Sequence, residues 1–293
     1  GESHARVTEN ILFEKDDISW GPNSTFQFPK NGGTGAIWKA VGELVGMDKI
    51  SLGTTLTAVD YEKKEATVLR NGKSETIRFE HFLSTAPLDQ LVKLVRPALG
   101  AELLKAAELL KFSTSHIIGI GLKGKPVDAL KTKCWLYFPE SDCPFYRVTV
   151  FSNYSPKNVP DISKQWSLMA EVSESTVKPV NKETLVEQVI LGALNTKLIE
   201  SRDDIISTWT FSAPHGYPTP SLERDRALNA LLPALDKLGL FSRGRFGAWK
   251  YEVSNQDHSC MQGVEWVNRV KLGVPEITVS FPNTANANWG KNT

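Results

Sequence analysis

The sequence predicts a mixed α/β (α+β) protein, and three observations carry that expectation. A run with strand character over residues 54–85 is followed by a run with helical periodicity over residues 88–111. Thr67-Val68-Leu69-Arg70 and Thr76-Ile77-Arg78-Phe79 flank Asn71-Gly72, a turn pair that favours positive φ and so a hairpin. Two glycine-bearing turns, at residues 32–35 and 244–247, each run toward a helical pattern.

The remaining elements follow in order. Alternating Phe26 and Phe28 predict a short strand. After Gly32-Gly33-Thr34-Gly35, the residues Ile37, Val41, Leu44 and Val45 share one helical face. Residues 82–86 read as a short buried strand, and residues 88–111 as a helix with a leucine stripe. Gly119-Ile120-Gly121-Leu122-Lys123-Gly124 is a formal G-x-G-x-x-G. Lys125-Pro126-Val127-Asp128 follows where that motif needs a helix to open, so the segment is expected to be a sheet strand whose glycines allow close packing. Residues 134–140 and 144–154 read as paired strands, with Trp135 and Tyr137 on one face and Arg147 and Thr149 on one face of the return strand. Residues 166–172 and 205–211 are further strands, 182–198 and 222–238 helices, and 215–220 a loop stiffened by Pro218 and Pro220. A β-like tail is expected over 277–281.

The stretch over residues 242–263 is expected to organise the chain. Arg243-Gly244-Arg245-Phe246-Gly247 is a turn that lets backbone approach a ligand, and Arg245 offers a planar donor fork. Ser254 to Asp257 has capping-box spacing, and Met261, Val264 and Val267 are expected to face a core. A helix start of this kind presents free N–H groups and a positive dipole end to an electron-rich ligand. On pattern alone it reads equally as a capped surface helix after a strand.

Bulk properties exclude several classes. With 34 basic and 33 acidic residues the net charge is +1, so no global field draws in nucleic acid or an anionic membrane, and anionic ligands must be held by local arginines. No apolar run reaches the length of a membrane-spanning helix. Cys134, Cys143 and Cys260 read as reduced thiols, consistent with a cytoplasmic protein. The five histidines are too scattered for a metal site. Aromatics beside one fixed arginine, as over residues 135–154, suit a phosphorylated ligand that carries a ring.

Several of these motifs together resemble a known family. Trp20-Gly21-Pro22-Asn23, Gly32-Gly33-Thr34-Gly35-Ala36-Ile37-Trp38, the aromatic stretch around Arg147, Gly244-Arg245-Phe246-Gly247, Tyr251-Glu252-Val253 and Asn255-Gln256-Asp257-His258 are similar to segments of the eukaryotic, fungal-type UDP-galactopyranose mutases, in the flavin amine oxidase-like superfamily. The resemblance runs from about residue 5 to about residue 282. It implies the C-terminal part of a GR2-type FAD-binding fold, a mixed sheet with a β-meander and flanking helices. It divides the chain into a flavin-domain segment (1–112), a substrate-side antiparallel sheet with helices (113–240) and a C-terminal flavin-binding segment (241–293).

The resemblance also implies the activity, an interconversion of UDP-galactopyranose and UDP-galactofuranose by covalent catalysis with reduced FAD, NADPH or NADH serving as the flavin reductant. It implies that Asn23, Trp135, Tyr137, Arg147, Tyr154, Tyr217 and Tyr251 contact the substrate. Of these, Arg147, Tyr217 and Tyr251 stabilise the leaving pyrophosphate. Gly33, Thr34, Gly35, Gly244, Arg245, Phe246, Asn255 and Gln256 meet the flavin. A homo-oligomer is compatible with it. The alternatives are a flavin amine oxidase-like oxidoreductase and a non-catalytic fragment. The chain opens on Gly1 and contains no β-α-β unit with a working G-x-G-x-x-G for the ADP half of FAD, so it is expected to have been cut from something longer or processed.

Overall fold

The computed structural model describes residues 4–15 and 27–287. In chain order the elements are α1 (His4–Leu12), α2 (Gly35–Val45), β1 (Thr54–Asp60), β2 (Glu65–Arg70), β3 (Lys73–Arg78), β4 (Phe82–Ser84), α3 (Leu88–Leu94), β5 (Val95–Arg96), α4 (Ala101–Glu108) and β6 (Phe112–Lys123). Then come β7 (Trp135–Tyr137), β8 (Arg147–Val150), β9 (Gln165–Glu174), α5 (Leu185–Asn195), β10 (Ile205–Pro218), α6 (Arg224–Lys237), β11 (Leu240–Ser242), α7 (Gln256–Leu272), α8 (Ile277–Ser280) and α9 (Pro282–Ala287).

The larger sheet has the order β10-β6-β9-β8-β7, antiparallel throughout. Its strands alternate. Ile118, Ile120 and Leu122 of β6 point inward with Val148, Val150, Leu168, Ala170 and Val172. They pack against Leu185, Val189, Ile190 and Ala193, one face of α5. Gly119 and Gly121 fall on the opposite face, as strand residues rather than a dinucleotide loop. A Cβ on Gly119 would stand 3.6 Å from that of Trp209 across on β10, the close strand approach expected of these glycines.

The second core draws on both ends of the chain. Val59, Leu88, Leu91, Leu231, Leu235 and Trp249 form one buried cluster. β1, β2 and β3 make the expected meander beside β5, with Asn71 and Gly72 at φ 50° and 76°. β11 pairs in parallel with β4, which carries the 244–247 turn to the edge of this layer.

Six local expectations are corrected. Residues 88–111 form two helices, because Val95–Arg96 turns out to pair with β1 and Pro97 has no N–H to continue a helix. Met261, Val264 and Val267 of α7 are exposed rather than facing a core, as are Ile37, Val41, Leu44 and Val45 of α2. Periodicity shows which residues share a face, not whether this chain covers that face. The capping box does not form: the Ser254 hydroxyl donates to the Tyr251 carbonyl at 2.9 Å, and Asn255 is the N-cap of α7. Residues 215–218 belong to β10 rather than to a loop. Residues 277–280 are helical, pinned where the Thr278 N–H and hydroxyl both donate to Glu265 at 2.9 Å. Residues 27–29 lie outside regular structure, and Phe26 is outside the described residues.

Candidate functional site

The outer face of the larger sheet gathers four of the predicted residues. In the β7–β8 ladder Tyr137 lies opposite Arg147 and Trp135 opposite Thr149, so all four side chains share one face. Arg147 also lies opposite Glu171 of β9. Its Nε and Nη2 donate to the two carboxylate oxygens of Glu171 at 2.6 and 2.8 Å, and the Tyr146 hydroxyl donates to the same carboxylate at 2.8 Å. Burial works against the arginine's charge, but the Glu171 hydrogen bonds and charge, with the Tyr137 hydroxyl, outweigh it and hold the guanidinium above its ordinary pKa. Burial, then the Glu171 charge, pushes the Tyr146 phenol up to about 12. Arg147 is therefore a permanent, oriented cation.

Tyr154 ties this face to the glycine turn before α2. Its ring meets Trp135 edge-on at 6.1 Å and Phe28 at 4.9 Å. The Ser155 hydroxyl donates to the Lys30 carbonyl at 2.6 Å. Phe28 in turn reaches to 3.8 Å from where a Gly33 Cβ would stand. The strand stretch and Gly33, Thr34 and Gly35 are thus neighbours through a segment of four residues, 27–30.

The predicted flavin segments also meet one another. Trp38 of α2 donates its indole N–H to the Gln256 side-chain oxygen of α7 at 2.6 Å. The N-cap residues of the two helices, Thr34 and Asn255, make no side-chain capping bond, and in the first turn of α2 the Ala36 and Ile37 N–H groups donate to the Gly33 and Thr34 carbonyls at 3.0 and 3.2 Å. The turn before α7 is held by Gln262, a fully buried side chain: its oxygen accepts from the Gly244 N–H and its amide donates to the Val253 carbonyl, both at 2.8 Å. Gly244 has φ 86°, and a Cβ on Gly247 would strike the Arg243 carbonyl, so the turn admits little else at these two positions. The Phe246 carbonyl accepts from the Leu88 N–H at 3.0 Å.

Tyr217 and Tyr251 are each paired with an arginine of their own. Arg245 lies over the Tyr217 ring at 4.9 Å, which joins a predicted flavin residue to a predicted substrate residue. Arg224 lies over the Tyr251 ring at 5.2 Å and is fixed by Glu252 at 2.7 and 3.2 Å. Asn23 lies outside the described residues.

Sequence reasoning missed Glu171 and Gln262. Glu171 alternates with Met169 and Ser173 on the outward face of β9, and an acid there opposite an arginine was the available signal. Gln262 carried none, because a lone glutamine on a helix is ordinarily solvated. Elsewhere on the same sheet, a groove of about 480 Å³ is floored by Gly119 and Gly121 and walled by Trp209, Phe151 and Met169. Among the described residues no cluster of metal-ligating side chains occurs, and no helix is long and apolar enough to cross a membrane.

Comparison with known proteins bears on this arrangement. Residues 5–226 match the family of flavin containing amine oxidoreductases. The chain is similar to the crystal structure of a reduced UDP-galactopyranose mutase, with 43% identity and a TM-score of 0.89 over 97% of this chain and 60% of that one. A putative protoporphyrinogen oxidase from Exiguobacterium (15% identity, TM-score 0.58, 78% of this chain and 48% of that one) shares the fold. So does a CLA-producing fatty acid isomerase from P. acnes (11% identity, TM-score 0.56, 82% and 52%). The chain spans 60% of the length of the solved mutase.

Proposed function

We propose, for a chain that belongs to the flavin-containing amine oxidoreductase family, that it carries the substrate-phosphate and flavin-ring half of a UDP-galactopyranose mutase. The observation that carries this reading is Arg147: a buried acid keeps it charged and fixes it on an aromatic face that adjoins the α2 glycine turn. An oxidase acting on amines needs no such cation. Likeness to the mutase over 97% of this chain supports the same choice.

The residues present fit a flavin. Two helix starts joined by the Trp38–Gln256 bond, together with the Gly244–Gly247 turn, offer positive dipole ends and close backbone approach to a planar, electron-rich ring. Gly33, Thr34, Gly35, Asn255 and Gln256 would hold one part of the ring, and Gly244, Arg245 and Phe246 another. When bound and reduced, by NADPH or NADH in this reading, FAD supplies the covalent chemistry at the sugar's anomeric carbon.

The protein's own contribution is positioning and charge. Glu171 occupies the Nε–Nη2 edge of Arg147, so the substrate pyrophosphate approaches the other edge of the guanidinium. As UDP departs, negative charge grows on the phosphate oxygens, and Arg147 with the Tyr217 and Tyr251 hydroxyls stabilises it where it forms. Trp135, Tyr137 and Tyr154 wall the sugar nucleotide and exclude water. Asn23 completes the substrate contacts.

Titration of the complete, flavin-loaded protein with UDP tests the reading against an amine oxidase. The proposal expects saturable binding that Arg147→Ala weakens. Absence of UDP binding, with flavin reduced by added amines, would establish the oxidase instead.

A further inference from the structure

The Asp89–His215 pair touches both halves of the candidate site. Between Ala213 and Tyr217 strand β10 advances four positions while β6 advances two, from Ser115 to Ser113. This bulge re-aims the side chains around it. Gly216 makes the detour sterically feasible, since a Cβ there would lie 2.5 Å from the Ser115 backbone nitrogen. The detour drives the His215 ring inward, where it stacks on Phe112 at 3.9 Å and meets Phe246 edge-on at 5.4 Å.

There the His215 Nε2 lies 3.1 and 3.2 Å from the carboxylate oxygens of Asp89, which is buried. Asp89 sits in the first turn of α3, next to the Leu88 N–H that holds the Phe246 carbonyl. One helix end therefore fixes the Phe246 turn through its backbone and the β10 bulge through its carboxylate. Two residues beyond His215, Tyr217 emerges beneath Arg245. Gln90 also donates its side-chain amide to the Asp89 carboxylate at 2.9 Å, so losing the histidine leaves the buried acid a partner but releases the bulge from α3.

We propose that Asp89 and His215 form a positioning pair that sets the separation of the Arg245–Phe246 turn from Tyr217, and so the alignment of the flavin ring with the substrate phosphates. The proposal rests on the site reading given above. Neither residue touches the reacting atoms; both act through their neighbours.

The test uses the complete, flavin-loaded protein. His215→Phe keeps a ring on Phe112 and removes the hydrogen bond. Misalignment without loss of fold is expected to lower kcat about tenfold or more. KM is expected to stay within about twofold, with flavin content and thermal midpoint retained. Asp89→Asn, whose amide oxygen still accepts from Nε2–H, is expected to stay within about threefold of the parent, whereas Asp89→Ala follows His215→Phe. Wild-type kcat in His215→Phe overturns the proposal, as does loss of flavin and thermal stability in step with activity. Should His215→Phe fail to fold, the Asp89→Ala and Asp89→Asn contrast decides: equal turnover in the two overturns it. Arg147→Ala separates the levels. If that variant binds UDP as the parent does, the site reading fails and this proposal with it. If it binds weakly while His215→Phe turns over normally, only the positioning pair is wrong.

Discussion

Trp38 donates its indole N–H to the Gln256 side-chain oxygen at 2.6 Å, across 218 positions of sequence. This bond holds the start of α7 against α2 and so joins the two helix starts assigned to the flavin. Trp38→Phe keeps an aromatic ring and removes the donor. A net hydrogen bond contributes about 0.5–1.5 kcal/mol, so flavin affinity in the complete protein is expected to fall about two- to thirteenfold. Fluorescence titration of the apoprotein with FAD measures it. Unchanged affinity would show that the two helices are aligned by other contacts.

Arg147→Ala removes a charge-assisted contact to phosphate, worth about 1.5–3 kcal/mol. UDP affinity and turnover are expected to fall together, by roughly 10- to 150-fold in affinity. A calorimetric titration that returned the parent's UDP affinity would remove Arg147 from the site.

Tyr217→Phe and Tyr251→Phe each keep the ring under its arginine and delete only a hydroxyl. Each is expected to lower turnover while sparing flavin content. If either variant is purified without flavin, that tyrosine supports the cofactor or the core rather than the leaving group.

Arg243 and Glu276, almost wholly buried, share two hydrogen bonds of 2.5 and 2.7 Å, and Arg269 adds a third to Glu276 at 2.8 Å. Burial alone would raise the Glu276 pKa, but the two arginines outweigh it and hold it below 4.5. A carboxylate with a depressed folded-state pKa stabilises the fold above its unfolded pKa, and that stability is lost as pH falls through the folded value. Glu276→Gln is therefore expected to cost about 3–5 kcal/mol near neutral pH, with the gap to the parent closing as pH falls through the depressed Glu276 pKa. Denaturant curves across that range check it; a pH-independent gap would mean that the loss is steric.

The sequence made the proposed substrate face legible because β-strand alternation fixes which residues share a side. Trp135, Tyr137, Arg147 and Thr149 needed only the strand register to come together, and Tyr154 joins them through its contact with Trp135. The meander was equally plain from Asn71-Gly72. The helices were legible as helices but not in their burial. Ile37 and Val41, and likewise Met261 and Val264, fall on coherent stripes, yet covering a stripe is a tertiary event that one segment cannot announce. Gln262 and His215 were invisible as supports because each acts through a partner distant in sequence: Gln262 is 18 residues from Gly244 and His215 is 126 from Asp89, whereas the strand register signalled Glu171 opposite Arg147.

The exposed stripes of α2 and α7 bear on the chain by itself. Both flank the proposed flavin-ring segments, and the chain spans 60% of the length of the solved mutase. Residues 1–293 alone are expected to bind FAD weakly or not at all and to show no mutase activity, and a separately supplied β-α-β unit is expected to restore both. Flavin absorbance after gel filtration reads the binding, and tight retention by the chain alone would contradict the assigned division of labour.

The most direct measurement is chromatographic. The complete protein is incubated with UDP-galactofuranose and FAD, either oxidised or reduced, and the sugar nucleotides are separated. The account predicts conversion to UDP-galactopyranose with reduced flavin, little with oxidised flavin, and strong impairment by Arg147→Ala. No conversion under reducing conditions, or conversion indifferent to flavin state and to Arg147, would contradict it.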